Sequence, residues 1–135
     1  MGRASVILLV EDNEDDIFFM QRALEEARFT NPLHIVMDGQ QAIDYLQGFG
    51  QFADRTAHPF PDFVFLDLKL PIADGFEVLT WLRQRKKSSL PVAVLSSSPE
   101  EVDMRRAREL GANCYLIKPP DVSMLLGCWK QFGLS

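Results

Sequence analysis

The chain has little cysteine, no long apolar run and no excess of basic charge. Only two cysteines, Cys114 and Cys128, stand among its 135 residues. Both fall in predicted elements rather than loops, and no histidine cluster accompanies them, so neither a disulfide framework nor a thiolate metal site is expected. No apolar stretch approaches the roughly 18 residues a membrane span needs. Met1-Gly2-Arg3-Ala4-Ser5 is too short for a signal peptide, and Ser5 falls outside the hydroxyl position of a myristoylation motif. A cytoplasmic protein with no membrane partner is expected. The net charge of −5 argues against a nucleic-acid surface, which normally shows as a basic patch. Repeats, low-complexity tracts and linkers are also missing. With 47% apolar residues the chain can build one core, so a single domain over residues 1–135 is expected.

What is present is organised around Phe63-Val64-Phe65-Leu66-Asp67. Four apolar residues running into one carboxylate read as a strand buried on both faces. Ser5 to Val10 is a similar run, ending in Glu11-Asp12. Ile17, Met20, Leu24 and Ala27 mark a helix from Glu14 to about Arg28. Asn13 is a fair N-cap, and Glu14, Asp15 and Asp16 complement the helix's positive end. Leu33 to Met37 reads as a second strand. Asp38-Gly39 turns into a helix carrying Ala42, Ile43 and Leu46. Residues 48–61 lack periodicity and read as a long connection whose Phe49, Phe52 and Phe60 fold onto the body. Asp74-Gly75 is a turn signal, and a helix is expected from about Gly75 to Arg85, with Phe76, Leu79 and Leu82 inward.

Leu90 to Leu95 is a fourth strand. Ser98-Pro99-Glu100-Glu101 has the marks of a helix start, with Ser98 as cap, and Gly111 suits the helix end. Its apolar stripe is Val102, Ala107 and Leu110. Cys114 to Ile117 is the fifth strand. After Lys118-Pro119-Pro120, Asp121 can cap a last helix carrying Val122, Leu125, Leu126 and Trp129. Five strand–helix alternations predict an α/β fold: a (βα)5 doubly wound, five-stranded parallel sheet of flavodoxin-like order 2-1-3-4-5.

That order gathers Glu11, Asp12, Asp67, Ser96 and Lys118 on the rim where ligands bind in such sheets. Three carboxylates repel unless a cation is present, and oxygen ligands suit Mg²⁺. With a lysine and a hydroxyl added, the site is built to hold a phosphoryl group, and Asp67 is the natural nucleophile. Singly, each residue has a plainer use: Asp12 as a cap, Lys118 as a turn residue held extended by its prolines. Ser97 and Ser98 read as structural, Ser96 as facing the rim.

Val10-Glu11-Asp12, Leu66-Asp67-Leu68-Lys69-Leu70-Pro71 with Asp74-Gly75, Val94-Leu95-Ser96, Gly111-Ala112 and Tyr115-Leu116-Ile117-Lys118-Pro119 together resemble the receiver domain of two-component response regulators. The resemblance covers about residues 5–132. The Val-Glu-Asp-Asn opening, the long loop before the third strand and Asn113-Cys114-Tyr115 look like the stand-alone regulators of phytochrome-type histidine kinases. The resemblance implies that Asp67 accepts a phosphoryl group from a kinase phosphohistidine. It implies that Asp12, Asp67 and the backbone carbonyl of Lys69 hold Mg²⁺ (or Mn²⁺), with Glu11 acting through water. Ser96 and Lys118 would bind phosphoryl oxygens, Tyr115 would be the switch aromatic, and the Lys118-Pro119 bond would be cis. Ser96 stands where threonine is commoner. Lys69 stands where hydrolytic water approaches in relatives, so its ammonium is expected to pair with the phosphoryl group and obstruct that water.

No segment remains for an output domain, so the output is expected to be a surface. Phe18 lies one residue off the first helix's stripe; exposed, it would dock a phosphotransfer helix. Met124 and Cys128, with Tyr115, are expected to form a partner or homodimer surface on the helix 4–strand 5–helix 5 face. An aspartate-nucleophile phosphatase would carry a second aspartate where Lys69 stands, so no enzyme beyond self-phosphorylation and self-dephosphorylation is expected. A flavodoxin-like electron carrier would need a Ser/Thr/Gly-rich loop where Glu11 to Asp16 would repel phosphate. The remaining alternative is a degenerate receiver that binds partners without phosphorylation.

Overall fold

Five strands and five α-helices alternate along the chain in a computed structural model that describes residues 5–131. The expectations for Gly2, the leader and residue 132 lie outside the described residues. The strands are β1 (Ile7–Val10), β2 (Leu33–Val36), β3 (Phe63–Asp67), β4 (Val92–Ser96) and β5 (Cys114–Ile117). All neighbours pair in parallel, in the order 2-1-3-4-5. The helices are α1 (Glu14–Glu26), α2 (Gly39–Gln47), α3 (Gly75–Thr80), α4 (Glu101–Glu109) and α5 (Val122–Gln131).

Side chains that alternate across a strand divide the core into two layers. Leu8 and Val10 of β1 pack with Ala42, Tyr45 and Leu46 of α2, Val78 and Leu79 of α3, and Ala107 of α4. Ile7 and Leu9 pack on the other side with Met20 and Leu24 of α1 and Leu125, Cys128 and Trp129 of α5. Central strands covered on both faces have no polar side, and so β1 and β3 read as unbroken apolar runs.

Several boundaries differ from the sequence reading, each for a local reason. Helix α1 stops at Glu26, because Arg28 turns left-handed at φ 64° with Phe29 N–H donating to Leu24 O. Glycine usually signals that turn, and here none does. Helix α3 starts at Gly75 as expected, and the Asp74 carboxylate caps it by accepting the Glu77 N–H at 2.9 Å. Gly75 is required by space. A Cβ there would lie 2.7 Å from Leu68 Cα and closer still to the Asp67 carbonyl oxygen. The end of this helix widens into a π-helical turn, Trp81–Arg85.

Helix α4 starts at Glu101 rather than at a Ser98 cap. The Ser98 hydroxyl instead accepts the Glu100 N–H at 3.2 Å and donates to Asp103 at 2.9 Å, the local bonding that serine offers as an alternative to capping. Val102 consequently stands 70% exposed, off the expected stripe. In the 48–61 connection, Phe52 closes a short 3-10 turn (Gly50–Phe52) and is buried against Tyr45. Phe49 and Phe60 do not fold inward as expected; both are exposed. The fastening is done by Arg55, which donates to the carbonyls of Tyr45 and Leu46 at the end of α2 and to that of His58.

Candidate functional site

The buried polar or charged residues among those described are Glu11, Asp67 and Ser96, and all three lie on the rim at the strands' carboxyl ends. Strand register explains the placement. Val10 pairs with Leu66, so Glu11 and Asp67 leave neighbouring strands side by side. Asp67 pairs with Leu95, and Ser96 with Ile117, which brings Lys118 to the same level. The Lys118 N–H donates to Ser96 O at 2.8 Å, and the Lys118-Pro119 bond is cis, as the resemblance implied.

Lys118 turns inward across this rim. Its ammonium lies 2.6 Å from Glu11 Oε1, 3.0 Å from Asp16 Oδ2 and 3.3 Å from Asp67 Oδ2. The Lys69 backbone N–H is 3.4 Å from Asp67 Oδ1, while the Lys69 side chain is exposed. The second Glu11 oxygen accepts the Asn13 N–H at 3.2 Å. The Ser96 hydroxyl oxygen accepts the Ser98 N–H at 3.0 Å, so its proton remains to be donated elsewhere.

One ammonium faces more negative charge than it can neutralise. Burial pushes the Glu11 carboxyl up to about 7, and the Asp67 charge adds to the rise against the opposing pull of Lys118. Burial alone would lower the Lys118 ammonium, but hydrogen bonds to Glu11 and Asp16 and the Asp67 charge outweigh it and hold it above its ordinary range. One oxygen from each of Glu11, Asp12 and Asp67 lies within 4.8 Å of the others. An under-compensated, all-oxygen cluster of this kind fits a hard divalent cation. Asp12 is its exposed member and opens it to solvent.

The described geometry brings Glu11, Asp12, Asp67, Ser96 and Lys118 together, and Asp16 joins them unforeseen. Read from the sequence, Asp16 only complements the helix dipole. The signal lay in its phase, one turn before the buried Met20. Tyr115 is half-buried, its hydroxyl donating to Ser98 O at 3.0 Å. Phe18 is 53% exposed, and so is Phe19, which forms an edge-on pair with it at 5.9 Å. Cys128 is not part of a surface. It is 5% exposed, because the buried face of α5 takes in Leu125, Cys128 and Trp129 at i, i+3 and i+4. Met124 is half-buried against the same layer.

Residues 7–128 match the family described as the response regulator receiver domain. The chain belongs to that family. This receiver domain is 40% identical over 114 residues to the response regulator Rcp1 of Synechocystis, covering 84% of the chain and 76% of Rcp1. The structure titled "Bacteriophytochrome response regulator RtBRR" matches with a TM-score of 0.86 and 38% identity, over 98% of the chain and 80% of RtBRR. A structure of the phosphorylated cyanobacterial phytochrome response regulator RcpA matches with a TM-score of 0.78 and 36% identity, over 96% of the chain and 91% of RcpA. Rcp1 also has a Mn²⁺-bound structure, at TM-score 0.79 and 36% identity over 97% of the chain and 95% of that chain. No helix among the described residues is long and apolar enough to cross a membrane.

Proposed function

We propose that this receiver domain accepts a phosphoryl group on Asp67 from the phosphohistidine of a histidine kinase. The reading rests on one observation above the rest: a buried aspartate sits 3.3 Å from a lysine ammonium and shares a cation-sized cluster with Glu11 and Asp12. An Asp67 carboxylate oxygen forms the new bond to phosphorus. The phosphorus–nitrogen bond breaks, and its electron pair returns to the imidazole. Lys118 holds one phosphoryl oxygen and the free Ser96 proton another, as fixed donors aimed where charge accumulates. Asp12, Asp67 and the Lys69 carbonyl would hold Mg²⁺. Both Glu11 oxygens are already engaged, by Lys118 and by Asn13, which suits contact through water. When bound, the ion neutralises charge on the transferring oxygens.

The domain catalyses only its own phosphorylation and dephosphorylation. Lys69 occupies the place where a phosphatase of this type would carry its acid. The kinase is of phytochrome type, a reading supported by the likeness to RtBRR and RcpA. The output is a surface change that starts at Ser96 and reaches Tyr115 through the loop carrying Ser98. With Cys128 buried, a homodimer on the α4–β5–α5 face rests on Tyr115 and Met124 alone. It is abandoned if Met124→Arg leaves the oligomer mass unchanged.

The test is incubation with Mg²⁺ and acetyl phosphate, followed by intact mass. A single acid-stable, base-labile phosphoryl adduct is expected, absent in Asp67→Asn and absent when the metal is chelated. An unmodified parent chain would refute the reading and leave the degenerate receiver in its place.

A further inference from the structure

Three acidic residues occupy the first turn of α1: Glu14, Asp15 and Asp16. Each complements the helix dipole, and that explanation would suffice if all three faced solvent alike. They do not. Glu14 and Asp15 are exposed, whereas Asp16 turns onto the rim and accepts a hydrogen bond from Lys118 at 3.0 Å, across 102 positions of sequence. Its backbone is fixed by the cap, since the Asp16 N–H donates to the Asn13 side chain at 2.9 Å. Its packing is fixed too, because Phe19 and Met20 line the recess it shares with Glu11, Leu95, Lys118 and Pro119.

An ammonium has three protons, and all three are assigned here. Glu11 and Asp16 grip Lys118 from the β1–α1 side, and the third proton points at Asp67. Without the grip from Asp16, the tip of a four-carbon side chain has one anchor, Glu11, and can swing off the acceptor. We infer that Asp16 is a positioning residue for phosphoryl transfer: it completes a two-carboxylate fork that keeps the Lys118 ammonium over the acceptor oxygen of Asp67. The inference rests on the phosphoacceptor reading of Asp67. The fork leaves one Lys118 proton for an incoming phosphoryl oxygen, so transfer exchanges one acceptor without moving the lysine. Asp16 is also the most exposed acid touching Lys118, at 37% of its side chain against 2% for Glu11 and 7% for Asp67. A substitution there removes a partly exposed group, and Lys118 keeps Glu11 and Asp67 as acceptors.

The test compares Asp16→Ala, Asp16→Asn and the parent chain, each with Mg²⁺ and varied acetyl phosphate, following adduct formation by intact mass. Asparagine keeps an oxygen acceptor for Lys118 and removes the charge; alanine removes both. Asp16→Ala should lower the rate at saturating donor about five- to tenfold, the scale one charge-assisted hydrogen bond at a partly exposed site can carry, and Asp16→Asn should restore it to within about twofold. The half-saturating donor concentration and the Mn²⁺ affinity measured by titration should stay within about twofold in both. A parent-like rate in Asp16→Ala overturns the inference and leaves the phosphoacceptor reading standing. So do equally slow alanine and asparagine variants, which would assign the effect to charge, or a parallel loss of Mn²⁺ affinity, which would assign it to the metal. A parent chain that takes no phosphoryl group overturns both readings together.

Discussion

Gly75 and Gly127 both lie in helices, and replacing each by alanine should move stability in opposite directions. At Gly75 a methyl group would sit 2.7 Å from Leu68 Cα and 3.1 Å from the Asp67 carbonyl carbon. Carbon atoms pack favourably at about 3.5–4.0 Å, so the backbone after β3 would have to open by roughly 0.8 Å. The obstacle is main chain, and no side chain can swing aside. Overpacking of this kind costs about 1–3 kcal/mol. Alanine's better helix propensity returns at most about 1 kcal/mol, and less in the first turn. The net loss should be about 1–2 kcal/mol, lowering the melting temperature by roughly 3–10 °C for a domain of this size. Gly127 has nothing within 4 Å of its would-be Cβ. There alanine should stabilise by about 0.5–1 kcal/mol. The two variants would be measured by urea titration and by phosphorylation with acetyl phosphate. Gly75→Ala should also slow phosphorylation by on the order of ten- to a hundredfold, because the displaced segment carries the acceptor. A Gly75→Ala chain as stable and as reactive as the parent would refute the claim that this close approach positions Asp67.

Three further outcomes are expected. Burial, helped by the neighbouring His58, holds the His34 imidazole below its ordinary value of 6.5. Protonation therefore favours the unfolded chain, and stability should be lost as pH falls from about 6.5 through the lower folded value; His34→Gln should show a flatter fall by urea titration than the parent. Phe63 is fully buried between Phe65 at 4.9 Å and Trp129 at 5.3 Å. Phe63→Ala should cost about 3–5 kcal/mol, read from the urea midpoint, and alter Trp129 fluorescence. Lys69→Ala should dephosphorylate a few-fold faster if the lysine obstructs hydrolytic water, an effect on the order of 1 kcal/mol; an unchanged or slower rate sinks that role.

The sheet was legible in the sequence because strands buried on both faces tolerate nothing polar, and the carboxylates mark where burial ends. The site followed from topology alone: parallel strands must discharge Glu11, Asp67, Ser96 and Lys118 on one rim. What stayed hidden depended on choices a side chain makes in three dimensions. The Ser98 hydroxyl accepts the Glu100 N–H and donates to Asp103, and α4 starts only at Glu101. Arg28 adopts a left-handed turn with no glycine to announce it. Cys128 reads as marginal to a stripe that proves broad enough to bury it. Asp16 joins the site only through a lysine 102 positions away, and its one local mark was its phase, a turn before the buried Met20.

The Arg55 guanidinium gives the stretch between α2 and β3 an unusual tolerance profile. Because Arg55 ties the stretch to the last carbonyls of α2, beside the buried Phe52 and the Tyr45 hydroxyl bonded to Pro59 O, its length and its fastening are separate properties. Doubling such a stretch costs only about 0.6 kcal/mol of closure entropy, so foreign peptide spliced in near the exposed Phe49 should be borne easily. Losing the guanidinium would take a donor from three carbonyls at once and leave Tyr45 O with the Gly48 N–H. For anyone fusing a reporter to this protein, the number of added residues there matters far less than leaving one arginine untouched.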